Sequence, residues 1–229
     1  GVLRRWRYRN RCRAGAANCG VPALKRYLEE SGELKPGHIA ETPLIAVDLE
    51  LTGLDAEKDQ IISVGWTQLD GARIQVGSNR HILVNADRSV GASAAIHELT
   101  DTEISEGTDL GSALAALFEH AAGRVWVFHH APLDVAFLQK ACRNWAGKAP
   151  PFVILDTMQI ELGLRKRRDQ MVQQGDLQLG RLRSAYHLPR YTAHNALIDA
   201  FATAELLLAM AARLDQKRPL DLGPHLRFV

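Results

Sequence analysis

Acidic residues occur at three places in this chain where the surrounding sequence is apolar. Asp48 and Glu50 lie in LIAVDLELTGL, Asp134 lies in FHHAPLDVAFL, and Asp199 lies in AHNALIDAFATAEL with His194 five residues ahead of it. An unpaired carboxylate is costly to desolvate in such surroundings. A fold that draws four of them to one spot needs a cation there to offset their repulsion. Carboxylates, water and substrate phosphates are the ligands that Mg²⁺ prefers. The pattern therefore demands a chain that returns three distant segments to one place. It predicts a metal-dependent phosphoryl-transfer site with the histidine as proton acceptor.

Each segment has its own local reading. Leu44–Val47 is a continuous apolar run and reads as a buried strand. Strand side chains alternate, so Asp48 and Glu50 point to one face at the strand's end, which Thr52-Gly53 closes. An acidic pair at i, i+2 means little alone, since Asp55/Glu57 and Asp101/Glu103 show it too. Arg124–Phe128 reads as a second strand, His129-His130-Ala131-Pro132 as a turn, and Asp134 falls in the first turn of a helix running to about Trp145. By itself Asp134 suits the helix dipole and needs no ligand role. His129 and His130 are adjacent, so at most one could reach a common site. Cys12, Cys19 and Cys142 lack zinc-type spacing. In the third segment Asn195 reads as an N-cap, with Ala200, Phe201, Ala204, Leu207 and Leu208 as the apolar face of the helix that follows. This leaves His194 on the preceding loop, free to fold back toward Asp199.

Asp48-x-Glu50, Asp134 and His194-x-x-x-x-Asp199, in this order and spacing, resemble the three motifs of the DEDDh 3′→5′ exonucleases. That superfamily includes the proofreading epsilon subunit of bacterial DNA polymerase III, ribonuclease T and oligoribonuclease. The similarity runs from about Leu44 to Arg213. IHELTDTEI from residue 96 resembles the family's I-H-G-I-T segment, and Leu155-Asp156-Thr157 its late strand ending in Asp-Thr. The resemblance implies Asp48, Glu50, Asp134 and Asp199 as ligands of two Mg²⁺ or Mn²⁺ ions, about 3.5–4 Å apart in such sites. Asp48 would bridge the ions and His194 would be the general base, a role suited to imidazole, which titrates near about 6.5 in water. It implies Leu51, Thr52, Gly53 and His129 beside the terminal nucleotide, a single-stranded DNA or RNA 3′ end as partner, nucleoside 5′-monophosphates as product, and a DNA polymerase as a further partner. Leu51 stands where the family commonly has threonine, His130 where it has asparagine, and Leu133 where it has phenylalanine. Two alternatives stay open: a non-catalytic nucleic-acid- or polymerase-binding module on the same fold, and an oligoribonuclease-like enzyme for short RNA.

At 229 residues and 46% hydrophobic content the chain can bury a core without disulfides. Strands at roughly 44–50, 61–69, 73–84, 124–128 and 153–155, with helices after about 112, 134, 177 and 195, give an α/β pattern. Asp70-Gly71 is a hairpin signal. These elements fit the ribonuclease H-like mixed five-stranded sheet flanked by helices that the resemblance implies. The expected organisation is a basic extension over 1–40, the exonuclease domain over 41–215 and a C-terminal tail over 216–229. An odd number of cysteines without a framework fits a reducing cytoplasm. No run of about eighteen apolar residues suggests a membrane span, and no h-region suggests a signal peptide.

Charge is unevenly placed. Residues 1–26 carry eight basic side chains and no acid, while the remainder has twenty basic against 26 acidic, a formal −6. The basic start reads either as an arm for phosphate contacts or as a packed extension docked through Trp6, Tyr8, Leu24, Tyr27 and Leu28. Arg165-Lys166-Arg167-Arg168 is a second basic run, suited to guiding a strand or to an ordinary solvated face.

Overall fold

The computed structural model describes residues 2–85, 107–192, 194–214 and 219–229. Strand β1 (Leu44–Leu51) pairs antiparallel with β2 (Ile61–Asp70), which pairs antiparallel with β3 (Arg73–Leu83). Gly71 and Ala72, at φ +59° and +57°, make the two-residue hairpin turn between β2 and β3. Both residues in the left-handed region match the twist of the flanking strands. On its other side β1 runs parallel to β4 (Val125–Phe128), and β4 runs parallel to β5 (Val153–Asp156).

Among the described residues the sheet has six strands rather than the five expected. The sixth, β6 (Arg227–Phe228), pairs antiparallel with β5 and gives the order β3-β2-β1-β4-β5-β6. Two residues carry no alternation, so the sequence pattern could not reveal this strand. The remaining order is the ribonuclease H-like arrangement. The segment IHELTDTEI lies outside the described residues.

Alternation along β1 sends its two sets of side chains to two helical layers. One layer contains α1 (Val2–Ala17), α2 (Pro22–Glu33), α3 (Leu110–Ala121) and, beyond β4, α4 (Ala131–Ala146). Its centre is an aromatic cluster of Tyr27, Phe118, Trp126 and Phe152, with ring centroids 5.0–6.3 Å apart. The Tyr27 hydroxyl donates to the Pro151 carbonyl at 2.9 Å and accepts from Trp126 Nε1 at 3.1 Å, so α2 is locked into the core. Tyr8, Leu24, Tyr27 and Leu28 are buried as the docked reading of the basic start expects, but Trp6 is 58% exposed.

The other layer contains α5 (Thr157–Arg167), α6 (Leu179–Ala185) and α7 (Ala196–Leu214). Ala196, Ala200 and Ala204 recur every fourth residue and are fully buried, giving α7 a flat ridge against the sheet. Phe201, expected on this apolar face, instead turns outward beside Tyr191, with centroids 6.4 Å apart. Among the described residues no helix is long and apolar enough to cross a membrane.

Candidate active site

β1 pairs with β4 only from Leu44 to Ala46 and then outruns it. Asp48 and Glu50 therefore project past the end of β4, at the carboxyl edge of the parallel strands, where open α/β sheets form crevices. Across the other ladder Asp48 pairs with Gly65 and Glu50 with Ser63. Gly65 makes the site possible. A Cβ there would collide with the backbone of Ala196 and Leu197 in the first turn of α7. With no side chain at that point, α7 comes down on the sheet and delivers Asp199, one turn further on, to the acids of β1.

The structure brings carboxylate oxygens of Asp48, Glu50 and Asp199 within 4.8 Å of one another. Asp134, buried in the first turn of α4, lies outside that mutual group but close enough for its charge to disfavour ionisation of Asp48 and Glu50. The backbone amides of Asp134 itself and of Leu49 partly offset the rise in its pKa. Burial, reinforced by mutual repulsion, pushes the Asp48 carboxyl well above the usual range and that of Glu50 to about 8. Burial raises Asp134 to about 7, and Asp199 also rises. An all-oxygen, all-anionic donor set in this state fits Mg²⁺ or Mn²⁺.

This strain has a sign. Folded carboxyl groups raised to about 7 and 8 hold protons that the unfolded chain, near about 4, has released. Linkage then makes metal-free stability fall as pH rises from about 4 through 8. A bound cation removes the penalty. The rise in melting temperature given by Mn²⁺ over EDTA should therefore be larger at pH 8.5 than at pH 5.5. Thermal melts in the two media check this, and an increment independent of pH would contradict it.

His194 lies just before α7 at φ +69°, a left-handed conformation in which histidine is enriched among non-glycine residues. Its backbone N–H donates to Asp199 Oδ2 at 2.9 Å, which folds the loop back onto the acid. Asn195 caps α7 as expected, its Oδ1 accepting from Leu197 and Ile198 N–H at 3.1 and 3.2 Å. The side chain of His194 is exposed and lines a cleft of about 940 Å³ together with Asp199, Arg183, Arg190 and Tyr191.

Leu51, Thr52 and Gly53 form the rim at the end of β1. Thr52 Oγ1 accepts from Gln60 N–H at 2.9 Å and donates to Asp59 at 3.3 Å, closing the rim as a small loop. A side chain on Gly53 would collide with the Asp59 carboxylate. His129 has both ring nitrogens engaged within the protein. Nε2 donates to the Leu177 carbonyl and Nδ1 meets Thr157 Oγ1, both at 2.8 Å. Burial pulls its pKa down, and the Thr157 hydroxyl that meets Nδ1 also donates to the Phe128 carbonyl at 3.2 Å.

Two residues that organise the site were not singled out for that role. Asp156, at the end of β5, accepts N–H bonds from Met158 and Gln159 at the start of α5. It also accepts from His130 and Ala131 at the start of α4, both at 3.1 Å. One carboxylate thus caps two helices and fixes where Asp134 begins its turn. His130 occupies the left-handed N-cap at φ +73°. Arg183 is buried and spans the His194 loop and α7. It donates to the Pro189 and Ala202 carbonyls at 2.8 and 2.7 Å and pairs with Glu205 at 2.8 Å. Asp-Thr closing a strand signals a helix cap, but nothing local distinguishes Arg183 from a surface arginine.

A family model described as Exonuclease matches residues 45–207, which hold all four acids and His194. The chain belongs to this exonuclease family. It is 26% identical over 192 residues to the 3′-5′ exonuclease DinG of Staphylococcus haemolyticus, covering 83% of this chain and 20% of that protein. It is 28% identical over 198 residues to a DNA polymerase III subunit epsilon-like protein of Rhodobacter capsulatus, covering 83% of this chain and 27% of that one. The chain thus spans about a fifth to a quarter of these relatives' lengths. The fold is also that of E. coli exonuclease I in its zinc-bound complex with single-stranded DNA. The TM-score is 0.66 at 13% identity, over 76% of this chain and 41% of that one. The chain therefore carries the exonuclease-family domain on a ribonuclease H-like fold.

Proposed function

We propose that this exonuclease-family chain is of the DEDDh type, removing nucleotides one at a time from a free 3′-hydroxyl end of single-stranded DNA or RNA. The observation that carries the reading is the convergence of Asp48, Glu50 and Asp199 within 4.8 Å, with His194 folded against Asp199. The 3′-5′ activity in the name of the DinG relative and the single-stranded DNA in the exonuclease I complex support the polarity and the substrate. The epsilon-like relative supports association with a polymerase.

Asp48, Glu50, Asp134 and Asp199 would hold two Mg²⁺ or Mn²⁺ ions, which supply Lewis-acid stabilisation of the charge gathering on the phosphate. The side chains of this protein do the rest. The four carboxylates would set where the phosphate sits only through the ions they hold, since by themselves they repel it. His194, on its exposed loop, takes the proton of the attacking water, and the 3′-oxygen of the penultimate nucleotide leaves. Glu50 disfavours a terminal 3′-phosphate by charge, and the rim formed by Leu51, Thr52 and Gly53 closes over the last nucleotide.

A 5′-labelled oligomer should give a descending ladder, and a 3′-labelled one immediate mononucleotide. A 3′-phosphorylated strand should stall by about 10²-fold or more, because one misplaced charge forfeits on the order of one electrostatic contact. DNA and RNA oligomers run in parallel fix the sugar preference. Internal cuts on a circular single strand, or equal rates with a 3′-phosphate, would overturn the assignment.

A further inference from the structure

The arginine-rich helix α1 has two faces that behave differently. On the inner side Tyr8, Cys12 and Ala16 are buried. Tyr8 meets Phe228 of β6 edge-on, with ring centroids 5.4 Å apart. Arg5 donates to the Leu34 carbonyl at 3.0 Å and Arg9 to the Gly32 carbonyl at 3.1 Å. Arg9 and Arg13 both pair with Glu33, at 3.3 and 3.0 Å. Lys148 bonds the Gly15 and Asn18 carbonyls at 3.2 and 2.6 Å and holds the far end of α1. Half of the six arginines thus fasten the helix to the domain.

The other half do something else. Arg4, Arg7 and Arg11 recur at i, i+3 and i+7, which places them in one stripe that flanks the buried Tyr8 and lies across α1 from the row of Arg5, Arg9 and Arg13. All three are exposed, and among the described residues none makes an ion pair or a side-chain hydrogen bond. The helix contains no acid to balance them. Like charges at this spacing destabilise a helix, so the stripe is a standing cost that the fold does not offset. Leu3 and Trp6, 59% and 58% exposed, lie farther round the outer surface, Trp6 on the side of Arg9 and Arg13. Asn10 and Ala14 complete the outer face, so it has no continuous apolar band to insert into a bilayer. The surface contributes no residue to the acid cluster or to its cleft.

We propose that the stripe of Arg4, Arg7 and Arg11 on α1 is a second contact for single-stranded nucleic acid, separate from the catalytic cleft, with the three guanidinium groups on successive phosphates. Guanidinium groups bind phosphate in bidentate fashion. The inner arginines hold the face in place before any strand arrives, so binding costs little ordering. This inference shares with the proposed function only the class of polymer that binds.

The test is fluorescence anisotropy of a labelled single-stranded oligomer in EDTA, across a salt series, with the full chain and three variants. Each single-strand phosphate contact contributes about 0.7 to the slope of log affinity against log salt. The triple change R4A/R7A/R11A should therefore shallow the slope by about 2, while the triple lysine variant, which keeps the charge, should retain it. Trp6→Ala, exposed on the same helix but off the stripe, should leave the slope unchanged. Mn²⁺-dependent hydrolysis of a mononucleotide p-nitrophenyl ester should stay at the wild-type rate in all three. That second measurement separates failure of this inference from failure of the nuclease reading, and it also reports intact folding. A triple alanine variant with the wild-type slope would overturn the proposal. So would wild-type protein that co-floats with phosphatidylserine vesicles through α1 but shows no salt-dependent oligomer binding sensitive to these arginines.

Discussion

Replacing Asp48 with asparagine should lower hydrolysis by about 10³-fold or more, beyond the worth of a single preorganised electrostatic contact. It should also raise the melting temperature of the metal-free protein. The two effects have one cause. Burial raises the pKa of Asp48, and the charges of Asp134, Glu50 and Asp199 all add to the rise. Asparagine keeps the shape and removes the charge. The site loses the carboxylate that the other three all perturb, and the fold loses a desolvation and repulsion penalty. Because that penalty exists only when the acids are ionised, the gain in stability should grow from pH 5.5 to pH 8.5. Rates measured with Mn²⁺ and melts measured in EDTA check both halves. A variant with near-normal rates, or one less stable than wild type at pH 8.5 without metal, would show that the cluster is structural.

Much of this site could be read from the sequence because its acids are anchored by local rules. The alternation that puts Asp48 and Glu50 on one face follows from β1 alone, and the Asn195 cap that leaves His194 outside α7 follows from the residue type. What could not be read depends on distant partners. Gly65 looks like a weak point in a strand until α7 is seen against it. Ala196, Ala200 and Ala204 make the contact with the sheet, rather than the larger Phe201, because a close approach favours small residues. Asp156 reads as a cap for α5, but its bonds to His130 and Ala131 appear only once β4 and β5 lie side by side. The two-residue β6 is defined by its partner alone. The basic start was ambiguous because a helix period sorts its arginines onto two faces, and composition averages over both.

His194→Ala should reduce the rate by about 10²–10⁴-fold at neutral pH, the usual contribution of a positioned general base. The loss should be in turnover rather than in binding, since His194 is held to Asp199 through its backbone N–H and that bond survives in the variant. The loop should therefore keep its place while the proton acceptor is gone. The pH profile separates this role from the carboxylates. In wild type the acid limb combines a base that must be neutral with acids that must be ionised to hold metal. Raising Mn²⁺ shifts the part due to the acids toward lower pH by mass action and leaves the part due to the base in place. At saturating Mn²⁺ the variant's limb should accordingly flatten while that of wild type persists. The side chain is exposed, so free imidazole has access to the vacated position and should restore part of the rate. His129 offers no substitute, because both of its ring nitrogens are committed to Thr157 and Leu177. An unchanged acid limb at saturating metal, together with no response to imidazole, would remove His194 from the proton transfer and leave it only the closing of the loop over Asp199.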